Sequence, residues 1–252
     1  MTGLAQARVL VIGCGGLAAS ATRALVEAGL RALTLVDDDR VDLSNLHRQT
    51  LFRTEDLGRS KVEAAAEALR ALPRPHAAPV QVEIRTTRFL PDNAETLLAG
   101  HDLVIDGTDN LASKFLIADA ARLARIPAVH GGVVRWTGWA LASAASQGPC
   151  MRCVFEDLPA GRVETCAGAG VVGPVVGVVS ALSAALAVDL LARADVAAGR
   201  LYSYDALGRG LRQTRVRARS GCPLCDGQVA DLNISRYMTC RPFPSNQESP
   251  CP

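Results

Sequence analysis

Short apolar runs recur along the first half of the chain, and each gives way to a longer stretch whose apolar positions return every three or four residues. Val9–Ile12 leads into Leu17–Ala28, which stops at Gly29, and Leu33–Val36 precedes a helical pattern over Lys61–Leu72. Val80–Arg85, a short helix at Asn93–Leu98, Leu103–Ile105, a helix over Lys114–Arg125 and Ala128–His130 continue the alternation. Strands alternating with helices predict right-handed crossovers and a mostly parallel, Rossmann-like sheet. Past Gly131-Gly132 the pattern changes. Strands are expected over Val133–Ala142 and Leu201–Tyr204, with an apolar helix from Val175 to Leu191 between them. The fold class expected is therefore α/β, a Rossmann-like mostly parallel sheet with an additional β-rich C-terminal half. Asp226–Pro252 is polar, holds four prolines and reads as a loose tail.

Composition narrows this picture. Hydrophobic residues make up 49% of the 252 positions and aromatic residues only 4%, so the core is built from Ala, Val and Leu, as parallel α/β sheets are. A net charge of +2 gives no electrostatic case for nucleic acid. The chain has no signal-peptide pattern, and its eight cysteines point to a reducing, cytoplasmic setting. Val171–Val188 carries no charge over eighteen residues, the lower limit for a membrane span, but Gly173, Pro174, Gly177 and Asp189 favour a buried core helix over a membrane segment.

The residues that directly follow apolar strands carry the candidate chemistry, because ligands of parallel sheets bind at the carboxyl ends of the strands. Gly13, Gly15 and Gly16, with Ala18 in the sixth position, form a glycine loop at a strand-to-helix junction that suits phosphate. Asp37, twenty-four residues after Gly13, can take a ribose hydroxyl pair. Alone this pattern also fits an NAD-dependent oxidoreductase. Ser44-Asn45-Leu46-His47-Arg48-Gln49 and then Lys61 argue for a triphosphate, whose charge must be offset, although each cation alone also reads as a solvated surface group. In Asp106-Gly-Thr-Asp109-Asn110 a carboxylate can hold Mg²⁺, while Asn110 or Thr108 caps the next helix.

Two Cys-x-x-Cys pairs, Cys150/Cys153 and Cys222/Cys225, lie sixty-eight residues apart with the spacing of a tetrahedral structural zinc site. A thioredoxin-like redox pair is the competing reading. Cys166, in a glycine-rich stretch, is either a reactive loop thiol or a small buried residue.

Taken in order, the glycine loop, Asp37, the Ser-Asn-Leu-x-Arg-Gln box, Lys61, Thr-Asp109-Asn110, both cysteine pairs and Thr-Cys166 resemble the ThiF/MoeB/HesA family, bacterial relatives of ubiquitin-activating enzymes. The resemblance runs from Val9 to Cys225, and Ala169–Gly177 is most similar to the thiamine-pathway branch. It implies one adenylation domain over residues 1–225, followed by the tail. It implies ATP and Mg²⁺ as cofactors, a structural Zn²⁺, a small ubiquitin-like sulfur carrier protein ending in Gly-Gly as partner, a persulfide donor and a homodimer. By motif, Gly16 approaches the nucleotide and Asp37 holds the ribose. Asn45, Arg48 and Lys61 contact phosphates, Asp109 engages Mg²⁺, and Cys166 corresponds to a loop cysteine that can link to the carrier.

The molybdopterin-synthase small subunit is the alternative carrier. The family's N-terminal Arg-Tyr-x-Arg-Gln segment, whose arginine enters the partner subunit's ATP site, has no counterpart in Met1–Ala7, and Arg8 is the only basic residue nearby. A non-catalytic zinc scaffold that binds the carrier is therefore the second expectation. Cys240 and Cys251 in the tail have no assigned role.

Overall fold

The apolar runs of the first half become five parallel strands: β1 (Arg8–Ile12), β2 (Ala32–Val36), β3 (Gln81–Arg85), β4 (Leu103–Asp106) and β5 (Ala128–Val134). Three antiparallel strands extend the sheet, β6 (Thr137–Ser143), β7 (Arg200–Asp205) and β8 (Gly210–Arg215), in the order β3-β2-β1-β4-β5-β6-β7-β8. The computed structural model describes residues 2–73, 79–159 and 169–237. Strand order reverses between β1 and β4, which pair in parallel from Val9↔Leu103 to Ile12↔Asp106. That reversal opens a crevice beyond the carboxyl ends of the two strands.

Helices cover both faces, as near-continuously apolar strands require. They are α1 (Thr2–Gln6), α2 (Gly16–Glu27), α3 (Lys61–Arg70), α4 (Ala94–Leu98), α5 (Leu111–Leu123), α6 (Arg152–Phe155) and α7 (Gly173–Ala197). One core joins α2, α3 and α7 to Val9, Val11, Leu33, Leu35 and Val129; the other joins α4 and α5 to Leu10, Ile12 and Val104. By length and hydropathy Gly173–Ala194 could cross a membrane, but half of its most apolar window is buried in this protein. Its dihedrals leave the helical range at Arg193.

Two elements differ from the sequence expectation. The expected strand Val133–Ala142 is a hairpin. β5 continues through Gly131-Gly132 to Val134, turns at Arg135, whose φ is 53°, and returns as β6. Gly132 is a packing glycine rather than a break, since a Cβ there would lie 2.6 Å from the Trp139 indole nitrogen. Strand β8 has no apolar alternation, is exposed at most positions and is held by its ladder to β7. Beyond β8, Val229 packs with Cys222 and Leu224 and Tyr237 is buried, while most of residues 226–236 are exposed. Residues 238–252, with Cys240 and Cys251, lie outside the described residues.

Candidate functional site

The glycine loop and the β4 turn meet back to back at the strand-order reversal. Gly13 has φ 85°, and a Cβ there would fall 2.9 Å from the Gly107 carbonyl carbon and 3.0 Å from the Thr108 nitrogen. A side chain at Gly107 would in turn run into the Gly13 carbonyl oxygen and Ala18. Only two glycines permit this approach, and it brings the N-terminus of α2, with its unpaired N–H groups, beside Thr108–Asn110. Gly15 is the helix N-cap. Gly16 is closely packed: a Cβ there would lie 2.9 Å from the Arg48 carbonyl oxygen and 3.0 Å from Val176 Cγ1. Its smallness lets α2 pack against the Arg48 segment and α7.

Asp37 follows β2 and turns back toward the loop. Its carboxylate accepts the Cys14 N–H at 2.6 Å and the Asp39 N–H at 2.8 Å. Burial pushes its pKa above the ordinary aspartate value, against the pull of those two donors. The next segment opens with a 3₁₀ turn at Leu43–Asn45, in which Asp42 accepts the Ser44 N–H at 2.8 Å and the Ser44 hydroxyl at 2.5 Å. Arg48 donates to Asn45 Oδ1 and, at 3.2 Å, to the Ser44 carbonyl. Lys61, at the start of α3, is not a solvated surface charge: its side chain is 7% exposed and its Nζ lies 2.8 Å from Asp39 Oδ2. Both cations are thus held by short-range oxygen partners at the rim of the crevice.

Asp109 is exposed and has no hydrogen bond or ion pair among the described residues, whereas its neighbours are tied down. Asn110 caps α5 by accepting the Ser113 N–H at 2.9 Å. Thr108 does not cap; its N–H and hydroxyl donate to Asp106 Oδ1 at 3.0 and 2.7 Å. Asp106 is fully buried and also takes Lys114 Nζ at 3.3 Å and His130 Nδ1 at 3.1 Å. Burial alone would raise its pKa, but Lys114 and His130 outweigh burial and hold it below the ordinary value. The sequence reading missed Lys114 and His130. A lone lysine beside the apolar Phe115-Leu116-Ile117, eight residues after an aspartate at a strand end, was the available signal.

The four paired cysteines converge on the far side of α5. Their sulfurs all lie within 4.8 Å of one another, with Cys150–Cys153 at 3.8 Å, Cys150–Cys222 at 3.6 Å, Cys153–Cys225 at 3.6 Å and Cys150–Cys225 at 3.5 Å. A tetrahedral ion with Zn–S bonds of about 2.3 Å sets neighbouring sulfurs about 3.8 Å apart, whereas a disulfide needs about 2.05 Å. The cluster fits zinc, and none of these pairs is at disulfide bonding distance. Burial and the neighbouring thiols push Cys150 up, and Cys225 is pushed up to about 12 chiefly by burial, the penalty a divalent cation offsets. Bound there, zinc would clip residues 150–153 to 222–225. Arg122 on α5 donates to Cys225 Sγ at 3.6 Å, and the Arg219 N–H donates to Cys153 Sγ at 3.4 Å.

Arg152 sits inside the first cysteine pair and went unnoticed in the sequence. It bonds both oxygens of Asp119 on α5, at 2.8 and 2.9 Å, lies 4.8 Å over the Phe115 ring and reaches Asp157 at 2.9 Å. Tyr237 donates to Asp119 Oδ2 at 2.9 Å. Cys166 lies outside the described residues.

Fold and site together define an α/β protein with a glycine-lined crevice at the strand-order reversal and a separate four-cysteine cluster. A family comparison agrees. The chain belongs to the ThiF family, whose model matches residues 1–224. It is 38% identical over 241 residues to a sulfur carrier protein adenylyltransferase of Thermus thermophilus, covering 93% of this chain and 88% of that protein. It is 38% identical over 225 residues to a molybdopterin-synthase adenylyltransferase of Salmonella typhimurium, covering 88% of each. A SAMP-activating enzyme E1 of Haloferax volcanii is 37% identical over 238 residues, covering 93% of this chain and 86% of that one. Among solved structures, E. coli MccB with MccA-N7isoASN superposes with a TM-score of 0.75 at 18% identity, over 89% of this chain and 68% of that chain, which supports the fold.

Proposed function

We propose that this chain uses ATP to adenylylate the C-terminal carboxylate of a small ubiquitin-like sulfur carrier protein ending in Gly-Gly, with release of pyrophosphate. The observation that carries the reading is Asp109, a carboxylate without a partner among the described residues, on a turn packed against the glycine loop. Relatives named adenylyltransferases support it. Asp37 takes the ribose hydroxyls, and the N-terminus of α2 faces phosphate. Arg48, Lys61 and Asn45 would exchange part of their present contacts for phosphate oxygens, and Asp109 would hold Mg²⁺ beside Asn110, which lines the nucleotide site. A carrier carboxylate oxygen attacks the α-phosphorus, the bond to the bridging oxygen breaks, and its electron pair leaves with pyrophosphate. The cations offset the charge that develops on the leaving group.

Residues 1–225 form one adenylation domain in this reading, and the cysteine clip carries a structural zinc. The same edge of the sheet offers a place for the body of the carrier. Trp136, Leu207 and Leu211 are 45%, 71% and 53% exposed on adjoining turns and strands, beside Arg209 and Arg212. A homodimer, a persulfide donor and a covalent link at Cys166 complete the scheme, in a reducing cytoplasm. Thiamine synthesis is the first choice of pathway, carried by Ala169–Gly177; the molybdopterin relative supports the second. ATP–pyrophosphate exchange with each purified carrier separates them. Exchange that depends on a thiazole-pathway carrier supports the first, exchange with the molybdopterin-synthase small subunit the second, and none with either contradicts the proposed activity.

A further inference from the structure

Asp109 gains its position from a buried network that the adenylation reading leaves without a role. Asp106 closes β4 with no side-chain exposure, and its carboxylate gathers donors from three elements: Thr108 in the turn, Lys114 on α5 and His130 on β5. Lys114 is 4% exposed and His130 fully buried, so neither cation nor ring is available to solvent. His130 Nε2 has no partner among the described residues, which leaves Asp106 as the imidazole's one anchor. On the other side of Asp109, Asn110 is fixed by its cap bond to Ser113. The exposed carboxylate is therefore flanked by two clamped residues. One of the clamps, the two-point Thr108–Asp106 bond, faces the glycine loop at Gly13.

Stability does not call for this arrangement. A turn needs one capping bond, and Asn110 supplies it. A lysine, a histidine and an aspartate buried together are costly to desolvate, and an apolar cluster of the same volume would serve a core as well. Metal-assisted transfer to phosphorus, by contrast, loses rate steeply when a ligand shifts by about 1 Å.

We propose that Asp106, Lys114, His130 and Thr108 form a positioning network that sets the Asp109 carboxylate relative to the phosphate loop. This rests on the reading of Asp109 as the divalent-cation ligand. Thr108 is the lever, since it touches the network through its hydroxyl and Asp109 through the backbone, and it is only half-buried.

The test is Thr108→Val against Thr108→Ser, with Thr108→Ala as the replacement if the valine variant does not fold. Two readouts are taken: ATP–pyrophosphate exchange with carrier, and Mn²⁺ affinity in the presence of ATP by electron paramagnetic resonance, which needs no carrier. Thermal midpoint and zinc content confirm folding. We expect Thr108→Val to lower the exchange kcat about 10- to 100-fold with KM for ATP within about 2-fold, to weaken Mn²⁺ in the ternary complex several-fold, and Thr108→Ser to restore both. Wild-type kcat and Mn²⁺ affinity in the valine variant would overturn the network's role. If the wild type binds Mn²⁺ and ATP but shows no exchange, the adenylation reading fails, and the Mn²⁺ comparison alone decides the proposal. Equal loss in the serine variant also counts against it, because the hydroxyl would then not be the determinant.

Discussion

Replacing Arg152 by Met should destabilise the protein more than any surface substitution, because it leaves the Asp119 carboxyl buried without its cation. The Arg152–Asp119 pair is bidentate, with the two side chains 2% and 0% exposed, and among the described residues only the Tyr237 hydroxyl would remain on Asp119. Removing one partner of such a pair costs about 3–5 kcal/mol, whereas replacing both by apolar residues is near neutral. For a chain of this size each kcal/mol lowers the melting midpoint by about 2–4 °C, so Arg152→Met should melt about 6–20 °C below wild type. Arg152→Met/Asp119→Leu should recover most of that loss. Because Arg152 lies between Cys150 and Cys153, the single variant should also lose zinc to a chelator faster. The assay is circular dichroism melting and urea titration at fixed free zinc, with zinc content measured in parallel. A loss below about 1 kcal/mol for the single variant, or a double variant as unstable as the single, would refute the claim that the buried ion pair fastens the cysteine clip to α5.

Two further outcomes follow from the site. Cys222→Ser should drop zinc content well below one per chain and lower stability, while ATP affinity changes little; unchanged zinc content would remove Cys222 from the ligand set. Asp37 has a raised folded-state pKa, so its carboxylate is lost on acidification sooner than that of an ordinary aspartate. ATP affinity should fall as the pH drops through that raised value, and Asp37→Asn should bind weakly with little pH dependence across the same range. Calorimetric titration showing parallel pH profiles for the two proteins would contradict the ribose assignment.

The fold was legible where local pattern and tertiary role coincide. Val9–Ile12, Leu33–Val36 and Leu103–Ile105 are buried on both faces, so they read as apolar runs and pair as expected. The hairpin at Arg135 was not legible, because Gly131-Gly132 resembles a break unless Trp139 is known to lie across it. Strand β8 was invisible, since Gly210–Arg215 owes its conformation to hydrogen bonds with β7 rather than to apolar contacts. At the candidate site, the residues legible in the sequence are those with a motif of their own: the glycines, Asp37, Asp109 and the four cysteines. What the sequence did not disclose is how they are held. Lys114, His130, Arg152 and Asp119 act through partners 8 to 33 positions away, and apart from the lysine eight residues after Asp106 a single sequence carries no signal of these pairings. The same limit explains Gly16 and Lys61, whose neighbours Val176 and Asp39 come from other elements.

The most direct test of the adenylylation reading is intact mass spectrometry of a Gly-Gly carrier after incubation with this chain, ATP and Mg²⁺. The account predicts a carrier heavier by one adenylyl group, formed with wild type and absent with Asp109→Ala, although that variant keeps its fold and its zinc. A carrier of unchanged mass with the wild-type protein, or an adenylylated carrier with Asp109→Ala at the wild-type rate, would contradict it.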